Sequence, residues 1–205
     1  MKIKKICIAG NFTIAIECTK FLLKNFKDIE IYSLTNHNDK ATDTFQPSFK
    51  KFCIKNKVRI ITLKEAYNLE NMIFFSLHFD QIIKTKNFKT KKLYNVHFSL
   101  LPKYKGMHTT AWPILNGELE TGVTLHKIDD GIDTGAIISQ LKFPIKINDN
   151  AEKVFLNYLK YGLKIFKKNI LTIIKGNYKF HKQSFSNSSY YSKKSLNFKN
   201  FKINY

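Results

Sequence analysis

Three polar side chains stand out as candidates for chemistry: Asn95, His97 and Asp133. Asn95 and His97 alternate with Tyr94, Val96 and Phe98 in a short apolar run fit for a buried strand. Residues two apart in a strand project from the same face. An amide and an imidazole side by side there need partners, because an unpaired buried polar group costs about 1–3 kcal/mol. Asp133 lies in the acidic loop D-D-G-I-D-T-G, residues 129–135, between two apolar runs. Such a loop can fold back and bring a carboxylate to the histidine, which would make the trio a catalytic candidate. The local pattern leaves a second reading open, in which His97 is a satisfied core histidine and the loop an ordinary hairpin turn.

The elements that must position these residues follow from periodicity. Leu100-Leu101-Pro102 ends the strand, and Lys103-Tyr104-Lys105-Gly106 is a basic turn. Residues 121–128 and 136–143 read as antiparallel strands joined through the acidic loop. Upstream, 2–9 reads as a first strand, 13–25 as a helix with its apolar face on Ile14, Ala15, Cys18, Phe21, Leu22 and Phe26, and 28–34 as a second strand. This βαβ start predicts an α/β fold with a mostly parallel twisted sheet and flanking helices. Residues 35–46 are polar and read as a loop. A helix over 47–56, a strand over 58–62, a helix over 64–69 and a buried strand over 72–77 follow, with a short helix from His78 to Ile83. In open α/β sheets ligands bind beyond the carboxyl ends of the strands, so Ser76, Leu77, His78 and Phe79 are expected beside Asn95 and His97. Residues 109–116 read as a helix, with Trp112 either core or ligand contact. The spacing of Asp149 and Glu152 suggests a capping box before a long helix. Its apolar face would run through Phe155, Leu159, Leu163, Phe166, Ile170 and Ile174, and Gly176 would end it. Gly10 stands alone, so a dinucleotide or nucleoside-triphosphate glycine loop is unsupported.

Three ordered patterns carry a resemblance. N-x-H-x-S-L-L-P-x-Y-x-G begins at Asn95, W-x-I-x-x-G-E-x-x-T-G-V-T-x-H at Trp112, and D-x-G-x-D-x-G at Asp129. Together they resemble the core of the folate-dependent formyltransferases, whose catalytic domain is Rossmann-like. The resemblance implies that Asn95, His97 and Asp133 are catalytic and that 10-formyltetrahydrofolate is the formyl donor, with no metal. An unprotonated amine would attack the formyl carbon; Asn95 and protonated His97 would donate to the oxyanion of the tetrahedral intermediate. Asp133 would orient His97, keep it charged or relay a proton. Ser76, Leu77 and Phe79, with Asp129 and Asp130, would form the folate pocket; His78 is pocket wall or turn. Lys103, Tyr104, Lys105, Gly106 and Met107 would meet the acceptor. Tyr190 and Tyr191, beside Lys193 and Lys194, would stack a pyrimidine base and meet its diphosphate, or else belong to a solvated tail or dimer contact.

Within that family the stretch LPKYKGMHTTAWPILNGE is closest in wording to the nucleotide-sugar N-formyltransferases. The implied acceptor is a dTDP-linked amino-dideoxy sugar destined for surface polysaccharide such as lipopolysaccharide O-antigen. The missing glycine-rich loop argues against the purine-pathway branch. A methionyl-tRNA formyltransferase-like enzyme and a nucleic-acid-binding protein on an inactive fold remain as alternatives. Residues 1–183 would form the catalytic domain and 184–205 a C-terminal extension, too short for the second domain of the tRNA enzymes. A homodimer is the implied assembly.

Composition sets the remaining bounds. A chain of 205 residues, 43% of them hydrophobic with 18 Phe and 10 Tyr, can bury one ordinary core. No stretch approaches the roughly 20 apolar residues of a membrane span. The basic-then-apolar start reads as a strand and not as a signal peptide. Cys7, Cys18 and Cys53 are odd in number and have no metal spacing, which suggests free thiols in a reducing cytoplasm. The net charge of +20 raises nucleic acid as a partner. Nearly all of it is lysine, however, with a single arginine, Arg59. Arginine is the usual reader of base edges, so compositional bias is favoured over a nucleic-acid surface. The positive field would still attract an anionic nucleotide or a glutamylated folate.

Overall fold

The computed structural model describes residues 3–184 and 186–196. The elements in chain order are β1 (Lys5–Gly10), α1 (Phe12–Asn25), β2 (Glu30–Thr35), α2 (Phe49–Lys55), β3 (Arg59–Ile60), α3 (Leu63–Asn68) and β4 (Met72–Leu77). They continue with β5 (Leu93–His97), β6 (Lys105–Gly106), α4 (Trp112–Leu115), β7 (Glu120–Lys127), β8 (Ile137–Pro144), α5 (Ala151–Lys175) and β9 (Tyr190–Tyr191). Seven strands form one sheet in the order β3-β2-β1-β4-β5-β7-β8. The first five are parallel, and β7 and β8 run antiparallel to their neighbours. β6 and β9 pair separately as a two-stranded ribbon. The expected α/β, Rossmann-like arrangement is therefore present.

Both faces of the parallel strands are covered, as such sheets require. Ile6 and Ile8 face one cluster together with Ile73, Phe75, Tyr94 and Val96, while Cys7 and Ala9 face the other with Met72, Phe74 and Leu93. α1 and α5 lie over the first face, where Phe166 meets Phe75 edge-on at 4.9 Å. At the carboxyl end of β1, a Cβ on Gly10 would stand 2.0 Å from the Leu77 carbonyl oxygen. Gly10 thus serves the close approach of β1 and β4.

Several boundaries differ from the expectation. The first strand starts at Lys5, and Lys2 lies outside the described residues. The helix expected from His78 to Ile83 does not form, and a single 3₁₀ turn follows at Thr85–Asn87. His78 has φ +62°, and the Asn36 side chain binds its carbonyl at 3.1 Å and the Asp80 N–H at 3.3 Å. The local backbone groups are satisfied by that amide in place of a helical turn. The helix expected over 109–116 shortens to α4, which starts at Trp112 with Pro113 in its first turn.

The long helix is capped by Asn150 and not by the Asp149/Glu152 pair. The Asn150 side chain accepts from the Lys153 N–H at 2.9 Å, whereas Asp149 accepts from the Lys146 N–H at 3.0 Å. The buried face is also rotated: Val154, Tyr158, Gly162, Ile165 and Ile173 join Leu159, Phe166 and Ile170, while Phe155, Leu163 and Ile174 are only partly buried. The Tyr158 hydroxyl explains the rotation, since it bonds Thr121 Oγ1 at 2.7 Å and the Thr109 carbonyl at 3.0 Å. Gly176 ends the helix at φ +70°, as its position predicted. Asn150→Ala is expected to cost about 1 kcal/mol, and Asp149→Ala less. Chemical denaturation of the two variants against the parent checks this.

Candidate active site

The candidate residues gather where the sheet changes from parallel to antiparallel. β4 and β5 run side by side with Ser76 opposite Asn95. β5 pairs with β7 so that Asn95 faces His126 and His97 faces Thr124. The β7–β8 connection carries the acidic loop. Asp129 shapes it by accepting from the Gly131 N–H at 3.2 Å and the Thr134 hydroxyl at 2.6 Å. Gly135 lets it turn tightly, for a Cβ there would stand 1.8 Å from the Lys127 carbonyl oxygen. Asp133 itself adopts φ +54°, a left-handed conformation that costs a non-glycine residue about 1 kcal/mol or more.

That geometry delivers the Asp133 carboxylate to both strand residues. Its Oδ1 accepts from Asn95 Nδ2 at 3.1 Å, and its Oδ2 lies 3.4 Å from His97 Nδ1. The Gly106 N–H donates to Oδ2 at 2.9 Å. His97 Nε2 faces the Tyr104 carbonyl at 2.8 Å, so that nitrogen carries a proton. Both ring nitrogens thus face acceptors. Burial alone would raise the Asp133 pKa. The opposing charge of His97, the His126 ring and the Gly106 N–H outweigh it and hold the carboxyl well below its ordinary range.

His126 is a fourth member that sequence reasoning missed. It is buried on β7, and its Nδ1 faces the Lys127 carbonyl at 2.7 Å. Its Nε2 lies 3.1 Å from Asn95 Nδ2 and 3.5 Å from Asp133 Oδ1. Unprotonated, that nitrogen accepts from Asn95; protonated, it donates to Asp133 and releases an Asn95 N–H. The signal was the histidine of the T-x-H pattern, visible but without an assigned role.

The other predicted residues divide. Leu77 is buried in the sheet, and Ser76 is half-buried beside Asn95. Phe79 and Ile128 are partly buried against the second core cluster. Asp130 accepts from the Thr85 hydroxyl at 2.6 Å and tethers the acidic loop to the segment after β4. Lys103 pairs with Glu118 at 3.0 Å. The Tyr104 hydroxyl donates to Glu118 at 2.7 Å; burial first, and then that bond, push its pKa up to about 12. Lys105 is buried, its Nζ donating to Ser188 Oγ at 2.9 Å. Met107 is half exposed. Tyr191 stacks on Trp112 at 4.1 Å between centroids, while Tyr190 is largely exposed.

Comparison with known proteins decides the family. The family model "Formyl transferase" matches residues 60–170, more than half of the chain. The chain belongs to the formyl transferase family. The sugar 3N-formyl transferase WlaRD, crystallised with dTDP and 5-N-formyl-THF, is 56% identical with a TM-score of 0.94 over 100% of this chain and 74% of its own. The N-formyltransferase from Helicobacter canadensis, in complex with folinic acid and dTDP-3-aminofucose, is 49% identical with a TM-score of 0.94, covering 98% of this chain and 75% of its own. A bifunctional polymyxin resistance protein, ArnA, from Wigglesworthia glossinidia brevipalpis is 32% identical over 69% of this chain and 24% of its own length. The chain spans between 24% and 56% of the lengths of that protein and of the next curated relatives it matches, two methionyl-tRNA formyltransferases.

Proposed function

We propose that this formyl transferase moves a formyl group from 10-formyltetrahydrofolate to the amine of a dTDP-linked amino-dideoxy sugar. The observation that supports this most is the likeness, at 56% and 49% identity over 100% and 98% of this chain, to two sugar enzymes crystallised with dTDP ligands and formylated folates. The 3N activity of the one and the dTDP-3-aminofucose bound to the other favour an amine at the sugar's third carbon. The segment after β4, with Phe79, and the Asp129–Asp130 turn would hold the folate. Bound there, it supplies the formyl carbon and the leaving nitrogen.

The chain's own residues supply the rest. Asn95 donates an N–H to the oxygen that gains charge as the amine attacks. In the resting geometry that amide is shared by Asp133 and His126, so the donor is held in place before the reaction and exchanges one partner during it. His97 supplies a second donor. Asp133 keeps its charge at neutral pH, which steadies a positively charged His97 and provides an acceptor for the amine proton, which passes to the folate nitrogen as its bond to the formyl carbon breaks. No step needs a metal.

Lys105 and Tyr191, flanking Gly106, are our assignment for the acceptor's diphosphate and base. A buried ammonium that bonds one serine hydroxyl among the described residues has donors left for phosphate oxygens. Lys105→Met is expected to raise the KM for the nucleotide sugar about tenfold or more with the folate KM unchanged. We also infer a cytoplasmic homodimer whose product enters surface polysaccharide such as O-antigen.

The direct test is a formylation assay with 10-formyltetrahydrofolate against a panel of nucleotide-linked amino sugars and methionylated initiator tRNA. Turnover of a dTDP-3-amino sugar is the expected result. Turnover of the tRNA alone would move the acceptor and keep the trio. No turnover, with tight salt-sensitive nucleic-acid binding, would overturn the reading.

A further inference from the structure

The segment after α5 ties together the two backbone pieces that hold the trio. On one side, Gln183 reaches the acidic loop: its Nε2 donates to the Asp133 carbonyl and to the Gly135 carbonyl, both at 2.8 Å. Two acceptors facing one nitrogen fix the amide's orientation. Its Oε1 is then buried without a partner among the described residues, a cost accepted for the two bonds. His181 anchors the segment by pairing with Ile137 in both directions, at 2.8 and 2.9 Å. On the other side, Ser189 takes hold of the basic turn. Its Oγ accepts from the Tyr104 N–H at 2.8 Å, and its carbonyl accepts from the Lys105 N–H at 2.9 Å. The Tyr191 carbonyl accepts from the Met107 N–H at 2.8 Å.

These are the pieces that grip the catalytic side chains. The Tyr104 carbonyl holds His97 Nε2, and the Gly106 N–H holds Asp133 Oδ2. Asp133 sits at φ +54°, a left-handed conformation that an aspartate adopts at some cost, so contacts that hold its backbone favour it. Gln183 clamps that residue's own carbonyl and the carbonyl two residues later.

We propose that Gln183 is a positioning residue for Asp133, and that residues 181–184 and 186–191, through His181, Gln183 and Ser189, act as a strap setting the distance between the acidic loop and the Tyr104–Gly106 turn. The proposal rests on the assignment of Asp133 to the reaction. Gln183 touches no substrate in this scheme; it acts through the carboxylate.

The test uses Gln183→Met, which keeps the length and apolar stem and removes both N–H donors. A misplacement of about 1 Å costs on the order of 10² in rate, so kcat should fall about 10²-fold while the folate KM stays within about twofold. In an Asp133→Asn background the same change should have almost no further effect, because residues acting as one unit are not additive. Amide hydrogen exchange of Gly106, measured without substrates, should accelerate in Gln183→Met. A loss that multiplies with Asp133→Asn, or a raised folate KM, would overturn the proposal. Should the parent enzyme turn over none of the acceptors, the proposed function fails, and the Gly106 exchange rate alone decides: acceleration supports the strap, and an unchanged rate removes it.

Discussion

Asn95→Ala should lower kcat by about 10²–10³ while leaving the fold and the folate KM nearly unchanged. The magnitude is that of one lost oxyanion donor. Steady-state kinetics with 10-formyltetrahydrofolate and a dTDP-amino sugar check it, and circular dichroism checks the fold. The side chain is half-buried on a central strand, so its removal opens no large void. What it removes is an amide placed 3.1 Å from both Asp133 Oδ1 and His126 Nε2. The carboxylate keeps the Gly106 N–H and the His97 ring, which is why stability should survive. Retention of most of the activity would show that the oxyanion is held elsewhere and would sink the assignment of Asn95.

The parts of this molecule that were readable in the sequence are those governed by local rules. β4 appears with its expected limits because five apolar residues and a serine in a row have one sensible place, the buried centre of a sheet. Gly176 ends α5 because only a left-handed residue suits that position. The likeness of 95–135 to a known family brought Asn95, His97 and Asp133 forward, and the fold brings them within hydrogen-bonding or ion-pair distance. What was not readable depends on contacts distant in sequence. The turn after β4 avoids a helix because Asn36, 42 residues before His78, binds its backbone. The face of α5 is set by the Tyr158 hydroxyl finding Thr121 and Thr109. Gln183 carries no local sign of its role, since the carbonyls it binds lie 48 and 50 residues earlier. His126 was in plain view in a motif, yet only the β5–β7 register places it across from Asn95.

Asp133→Asn is expected to be the most damaging conservative change in the chain, lowering kcat on the order of 10³ or more, by analogy with carboxylates that orient a catalytic imidazole. It should also destabilise the fold, on the order of 3 kcal/mol, because a charge buried beside His97 would lose its partner. The pH dependence separates these effects. The folded pKa of Asp133 is depressed, held down by His97, His126 and the Gly106 N–H against the opposing effect of burial. A depressed acid contributes stability that is fully present above its unfolded pKa of about 4. That contribution is lost as pH falls through the lower, folded value. The stability gap between the parent and Asp133→Asn should therefore be constant from neutral pH down to about 4 and close on further acidification. Denaturant melts of both proteins across that range measure it. A gap that stays the same into strong acid would mean that the carboxylate is not held charged by its neighbours, and the electrostatic part of the assignment would fall with it.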